Sequence, residues 1–399
     1  MWVLGLMSGT SADGVDAVLV RLGGSSRRPR WRVSHTASIP YPDDLRRRII
    51  GCGQGQPMAA AALLDMMEAL TDIQAEAARA CDPTGRAELV GCHGQTLWHR
   101  PPVPGRRGAS WQALQGPLLA ERLQRPVVFD FRAADLALGG QGAPLVPATD
   151  AALLGGVAGW RAVLNLGGIA NVTLLPPRQG PDRHQPVRGW DCGPANTLID
   201  LAVHQFSEGR LSFDAAGEWA RQGCVDEEVI ALWLQEPYLR QPPPKSTGRE
   251  AYGAEDLRWR LEVLRERSPG LTAADALATL TAFSAAAVAR DLRRGTPPVE
   301  VLVAGGGTRN LFLLDQLRRR CQGMVVRPLA EIGIGALERE ALAFALLAWW
   351  HVRGHPGSLP SVTGARGPAV LGVRANPPRQ SRRFSVRGGA RGAGVGEPP

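Results

Sequence analysis

WVLGLMSGTSADGVDAVLVRL, residues 2–22, decides how the rest of the chain is read. Val3, Leu4 and Leu6 make one strand-like run and Val15 to Leu22 a second, separated by Ser8-Gly9-Thr10-Ser11-Ala12-Asp13-Gly14. Glycine tolerates positive φ, and Ser, Thr and Asp hydrogen-bond their own backbone, so the segment predicts a β-hairpin. A hairpin turn needs only about two to five residues. This one is longer and crowded with groups suited to an anion or a hydrated metal ion. Backbone N–H groups in such a turn cradle phosphate oxygens, and an aspartate beside phosphates calls for a cation, so Asp13 or Asp16 is expected near Mg2+. An ordinary turn is the competing reading.

Some 160 residues later RAVLNLGGIANVTLL (161–175) repeats the pattern of strand, Gly167-Gly168 turn and strand. The repeat predicts an α/β fold of two similar halves around a cleft, each with a mixed sheet opened by a hairpin and flanked by helices. WRVSHTASI (31–39) reads as a third strand, 58–80 as a long helix, and AELVGCHGQT (87–96) as a short buried strand ending in a glycine loop. PVVFDF (126–131) reads as a strand ending at Asp130, and 137–147 as a loop between the halves. RGWDCGPANTLIDLAVHQF (188–206) reads as strand, turn and helix, with Pro194 in the first helical turn. Residues 272–294 form a long helix, VEVLVAGGGTRNLFLLDQLRRR (299–320) reads as strand, triple glycine and helix, and EREALAFALLAWW (338–350) closes the fold. The expected divisions are 1–150, 151–376 and a tail at 377–399.

The 399 residues are 44% apolar, enough for a sizeable core, and no apolar run approaches the ~18 residues of a membrane helix. A basic n-region and apolar h-region are missing at the start, so no secretory signal is expected. Cysteines 52, 81, 92, 192, 224 and 321 lack CxxC spacing, which predicts reduced thiols rather than a disulfide framework or structural zinc. Arginine supplies the positive charge everywhere except Lys245. Five arginines against Glu397 give the last 23 residues +4 of the net +9, leaving +5 for the remainder. That Gly-, Pro- and Arg-rich tail holds too few apolar residues for a core and is expected to be disordered; without interleaved aromatics it argues weakly for nucleic-acid binding.

Several short motifs carry candidate chemistry. Gly305-Gly306-Gly307 stands between a strand and a helix, the arrangement that sets a helix N-terminus against a ligand. A dinucleotide fingerprint would need glycine where Asn310 stands and an acidic residue about 20 positions on, so a Rossmann dehydrogenase is disfavoured. PPPKSTGRE (242–250) lacks the glycine before the lysine and the upstream strand of a P-loop; Lys245 belongs either to a solvated loop or to one that touches an anion. Asp191, at a strand end in GWDCGPAN, is either a general base over the cleft or a helix N-cap. His93 in GCHGQT reads as a satisfied structural histidine, since a metal site of Cys92, His93 and His99 lacks the usual spacing. Arg132 and Asp135, three apart, suit an ion pair or one helical turn, and Arg132 could hold a carboxylate bidentately.

In chain order, GLMSGTSADGVDAVLV, GCHGQTLWHRP, DFRAADLALGGQGAPLVP, NLGGIANVT, WDCGPANTLID, PPPKSTGRE, AGGGTRN, EALAFALLAWW and LPSVTGA resemble the anhydro-N-acetylmuramic acid kinase family of the sugar-kinase, Hsp70 and actin superfamily, over residues 2–375 or so. The resemblance implies a cytoplasmic, homodimeric bacterial enzyme of cell-wall recycling that uses ATP and Mg2+ on a small anhydrosugar. By the same resemblance Asp191 is the catalytic base. Gly9, Thr10, Ser11, Ala12, Asp13, Gly14, Val15, Asp16, Gly167, Gly168, Asn171, Gly305, Gly306, Gly307 and Asn310 hold the nucleotide, with Asp13 at the metal. His93, Arg132, Asp135 and Glu340 surround the sugar. Cys192 and Ala195 depart from the Thr and Gly expected in the Asp-x-Gly-Pro-x-Asn motif, which bears on rate tuning rather than reaction class. The alternatives are a kinase for another anhydrosugar of levoglucosan type, a non-transferring ATPase of the same fold, and a nucleic-acid-binding protein driven by the arginine tail.

Overall fold

The chain alternates its apolar residues on the opening strands so that each sheet face meets a different core. The computed structural model describes residues 1–9, 11–243, 245–248, 251–335 and 338–378. β1 (Trp2–Ser8), β2 (Gly14–Ser25) and β3 (Arg28–Pro40) form an antiparallel meander. Leu4, Leu6, Ala17 and Leu19 turn to one face with Met66 and Leu70 of the helix Ala60–Cys81, while Val3, Val18 and Val20 turn to the other with Phe344 and Leu347 of the helix Glu338–His351. β4 (Leu89–Arg100) lies parallel to β1. β5 (Ala109–Ala113) folds back antiparallel on β4, and β6 (Val127–Phe129) runs parallel to β4 on its other side. β4 is longer than the short strand expected. It continues past Gly94, which takes φ +76°, because β5 supplies a partner from Gln95 onward.

The second sheet repeats this order. β7 (Arg161–Leu166), β8 (Ile169–Leu175) and β9 (Arg188–Pro194) form a meander, β10 (Glu300–Ala304) is parallel to β7, and β11 (Val325–Pro328) is parallel to β10. The expected duplication is therefore visible strand for strand: third, second, first, then two parallel crossovers in each half. Val163, Leu175 and Leu302 share the core that holds Val3, Val18 and Phe344, so the halves are joined by common apolar packing. The other face of the second sheet packs on the helices Ala273–Leu292 and Leu311–Arg320 through Val301, Val303, Val288 and Leu313.

Pro194 does not enter the following helix. It ends β9 opposite Ile169, and the helix Asn196–Phe206 starts two residues later. After the second sheet the chain returns to the first: the helix Glu338–His351 lies across β1, β2 and β4, and β12 (Val373–Ala375) pairs antiparallel with β6. The last stretch of 151–376 thus packs with the first half. The return is possible because Gly5 and Gly91 are neighbours in the β1–β4 register, where a Cβ would be driven into the carbonyl oxygens of Ala341 and Phe344. Among the described residues no helix is long and apolar enough to cross a membrane, and all six cysteines are free. The tail expected to be disordered lies, from Arg379 onward, outside the described residues.

Candidate active site

The first turn is pinned from beneath. The Tyr41 hydroxyl donates to Ser8 Oγ at 2.9 Å, Ser8 Oγ reaches Gly14 O at 2.9 Å and Gln95 Oε1 at 2.5 Å, and Gln95 Nε2 donates to Gly9 O at 3.1 Å. Ala12 closes the turn with its N–H on Gly9 O and adopts φ +53°. Ala12 and Val15 are fully buried, and Gly14 abuts Ile39 and Pro40 of β3, so their side chains belong to the scaffold. Thr10 lies outside the described residues. Ser11 and Asp13 line a cleft of about 1150 Å³, where Asp13 meets Arg46 of the helix Asp43–Gly53 at 2.9 Å. The opposite wall carries Asn196, Asp200, Phe213, Gly306, Arg309 and Asn310. The cavity therefore brings the first hairpin turn and the triple-glycine turn face to face.

The second turn is held by the segment after β9. Gly168 O accepts the N–H groups of Ala195 and Thr197, and Gly167 O accepts Asn196 N at 3.0 Å and Asn196 Nδ2 at 2.7 Å. Gly305, at φ +85°, sits so close to Asn165 Oδ1 and Leu166 O that a Cβ would collide with both. Gly306 meets nothing within 4 Å on its Cβ side. Asn310 caps the helix Leu311–Arg320, its Oδ1 accepting Leu313 N at 2.9 Å, so the glycines enter the helix through this cap and a 3-10 turn. Open space at Gly306, no contact tighter than van der Waals distance on the Cβ side of Gly9 and Gly167, a cleft wide enough for a nucleotide, and a carboxylate at Asp13 fit an ATP–Mg2+ complex.

In the β7–β8–β9 register Asn165, Asn171 and Asp191 stand side by side across the sheet. Asp191 is not an N-cap: Ala195 holds that position, and Asp191 Oδ2 accepts Ser246 Oγ at 2.8 Å and Thr247 N at 3.1 Å. Its backbone is fixed as well, N–H to Lys245 O at 3.1 Å and carbonyl from the Tyr238 hydroxyl at 2.7 Å. Asn165 was absent from the residues expected at the site. Its signal was a single polar residue inside the apolar run AVLNL.

The Arg132 cluster belongs to the first half. Arg132 Nη1 donates to Gly142 O at 2.7 Å, and its Nε and Nη2 approach His93 Nε2 at 3.2 and 3.0 Å. His93 Nδ1 donates to Gly94 O at 2.8 Å, which leaves Nε2 as an acceptor for the guanidinium. Burial, reinforced by the charge of Arg132, pushes the His93 pKa down to about 3, so the ring is neutral. Glu340 is held above the usual carboxylate range by burial, against the pull of Arg339 and Arg132; Asp16 is raised by burial as well, and its Oδ1 accepts Ser38 Oγ at 2.8 Å. Arg132 and Asp135 form no ion pair among the bonds of either. Asp135 is fully buried, with Oδ2 accepting Gly142 N and Oδ1 accepting the Thr363 hydroxyl. It braces the loop whose Gly142 carbonyl holds Arg132. Among the described residues no group of His, Cys, Asp and Glu forms a ready metal cluster. Lys245 does not belong to a solvated loop: its ammonium is buried against Asp291 at 2.8 Å, because the loop folds under Tyr238 instead of projecting from the surface.

Two halves with one strand order, each opened by a hairpin, and a cleft between the first hairpin turn and the triple-glycine turn define the phosphotransferase and ATPase architecture of sugar kinases and actin-like proteins. The comparisons place the chain within that class. The family model for anhydro-N-acetylmuramic acid kinase matches residues 1–377. Anhydro-N-acetylmuramic acid kinases of Synechococcus sp. (strain WH7803) and Prochlorococcus marinus (strain MIT 9303) are 60% and 59% identical to it, each alignment covering 94% of this chain and all of the relative. The activator of the 2-hydroxyisocaproyl-CoA dehydratase from Clostridium difficile with bound ADPNP is 11% identical, covers 88% of this chain and 96% of its own, and superposes with a TM-score of 0.43. The chain belongs to the anhydro-N-acetylmuramic acid kinase family.

Proposed function

We propose that the protein phosphorylates 1,6-anhydro-N-acetylmuramic acid with ATP while water opens the anhydro bridge, giving N-acetylmuramic acid 6-phosphate and ADP. Family membership carries the reaction and its place in cell-wall recycling. The observation that carries the mechanism is the fixation of Asp191, whose carboxylate is aimed by Ser246 and Thr247 beside Asn171 and Asn165. Asp191 takes a proton from water as the water oxygen bonds to the anomeric carbon. The bond from that carbon to O6 breaks, and O6 receives the γ-phosphoryl group, so the transferred group takes the place of an acid on the leaving oxygen. Arg132, with its charge undiminished by the neutral His93, meets the lactyl carboxylate, and Glu340 contacts the sugar. Asp13 would hold Mg2+, which supplies charge neutralisation on the transferring phosphoryl group. The backbone of Gly9, Gly167 and Gly306 binds phosphate oxygens beside it.

Asp191 stands on the second sheet and Arg132 with the first, so this reading holds the sugar between the halves and has them close on it. A homodimeric state and a cytoplasmic location are part of the same reading. Incubation with Mg-ATP and the anhydrosugar in oxygen-18 water tests it. A phosphorylated sugar carrying one heavy oxygen at the anomeric carbon is expected, and the Asp191→Asn protein should lose it by about three orders of magnitude or more. Steady ADP release with unchanged sugar would replace the reading by that of a non-transferring ATPase.

A further inference from the structure

Forty-six residues of this chain are basic, and Lys245 alone among them is a lysine. It does not face solvent or the cleft. Its side chain is 1% exposed and its Nζ lies 2.8 Å from Oδ2 of Asp291, itself 1% exposed, near the end of the helix Ala273–Leu292. The Tyr238 ring covers the ammonium at 4.9 Å from its centroid. A compact ammonium fits this slot, whereas a planar guanidinium with five donors would require more acceptors than Asp291 offers. Asp291 also receives Trp190 Nε1 at 3.2 Å and is flanked by Arg294 Nε at 3.3 Å.

These contacts converge on one neighbour. Trp190 precedes Asp191 on β9; the Tyr238 hydroxyl that caps Asp191 O belongs to the ring over Lys245; and Lys245 O accepts Asp191 N–H. The two residues after Lys245 are Ser246 and Thr247, which supply the donors on Asp191 Oδ2. We infer that the buried Lys245–Asp291 pair is a latch that holds the loop at 245–248 against β9, making both residues positioning residues that aim the Asp191 carboxylate without touching substrate. The inference rests on Asp191 being the base.

Breaking a buried pair leaves one charge uncompensated, so single variants risk losing the fold, whereas removing both charges often does not. The double variant Lys245→Met/Asp291→Asn keeps an acceptor for Trp190 and is the informative protein. Full-length enzyme is assayed for kcat and for KM toward both substrates, with thermal unfolding alongside. The latch predicts a thermal midpoint near that of the parent, KM values within about threefold, and kcat lower by about a hundredfold, the scale of an ångström of misaim. A kcat per folded molecule within about threefold of the parent would reduce the pair to a structural strut and overturn the inference. Asp191→Asn, measured in parallel, separates the two failures. If it keeps the parent kcat, the base assignment falls; if it is inactive while the double variant is not, only the latch falls.

Discussion

His93 reports sharply on its surroundings. An ordinary histidine protonates near pH 6.5, and this one, buried beside Arg132, does so only near 3. Its folded pKa is depressed below the unfolded value. Between those two values the unfolded chain binds a proton that the folded chain does not, so stability is intact above about pH 6.5 and is lost as pH falls. Urea unfolding at pH 6, 5 and 4 should show a His93→Gln protein losing stability less steeply than the parent, by about 1.4 kcal/mol per pH unit. Equal slopes would place a proton on the folded ring. At this scale the sequence was partly legible. Asp191 and Arg132 announced themselves as carboxylate and guanidinium at strand or turn ends. Asp135 was readable only as a neighbour of Arg132, because its true partner Thr363 lies 228 positions away. Lys245 was unreadable for the same reason: Asp291, which explains it, is fixed by folding and not by spacing.

Between elements, the helix Glu338–His351 comes close to β1 and β4. Gly5 and Gly91 are paired in register, and the helix presents Ala341, Ala345 and Ala348 to them. Interior glycines weaken a strand in isolation, and here they mark a site where another backbone comes near. A Gly91→Ala substitution would push its methyl into Phe344 O and the Ala348 methyl, and neither the sheet nor the helix can withdraw without opening the shared core. We expect a loss of about 3 kcal/mol, near the upper end for an overpacked core, measured by urea denaturation of the purified protein. A loss under 0.5 kcal/mol would mean that the helix floats on the sheet. The hairpins, their two turns and the alternating apolar faces were legible because they are local patterns. The length of β4 was not, since its second half exists only by pairing with β5.

Across the whole molecule, chain order and spatial order part company at the end. Two sheets with one strand plan share a core, and the helix Glu338–His351 and the last strand belong to the first of them. Truncation after Pro378 keeps β12, whereas truncation after Gly372 removes its antiparallel pairing to β6. The shorter protein should lose about 2 kcal/mol relative to the longer, from a few backbone hydrogen bonds of roughly 1 kcal/mol each, in a comparison of unfolding midpoints. If the two proteins unfold together, β12 adds nothing to the sheet. The duplicated plan was legible from two glycine turns separated by a regular interval. The return was not, because no pattern within 338–375 names the sheet it will cover.

That return has a meaning in time as well as space. A ribosome releases β1, β2 and β4 long before it releases the helix that covers them, an interval of about 10–50 s at ordinary synthesis rates. Throughout it the valines of one sheet face and the paired Gly5–Gly91 groove stand uncovered. The second sheet, whose strands lie between 161 and 328, can pair all of them and cover the face of Val301 and Val303 before that helix is made. The half that is made first is therefore the half that must wait.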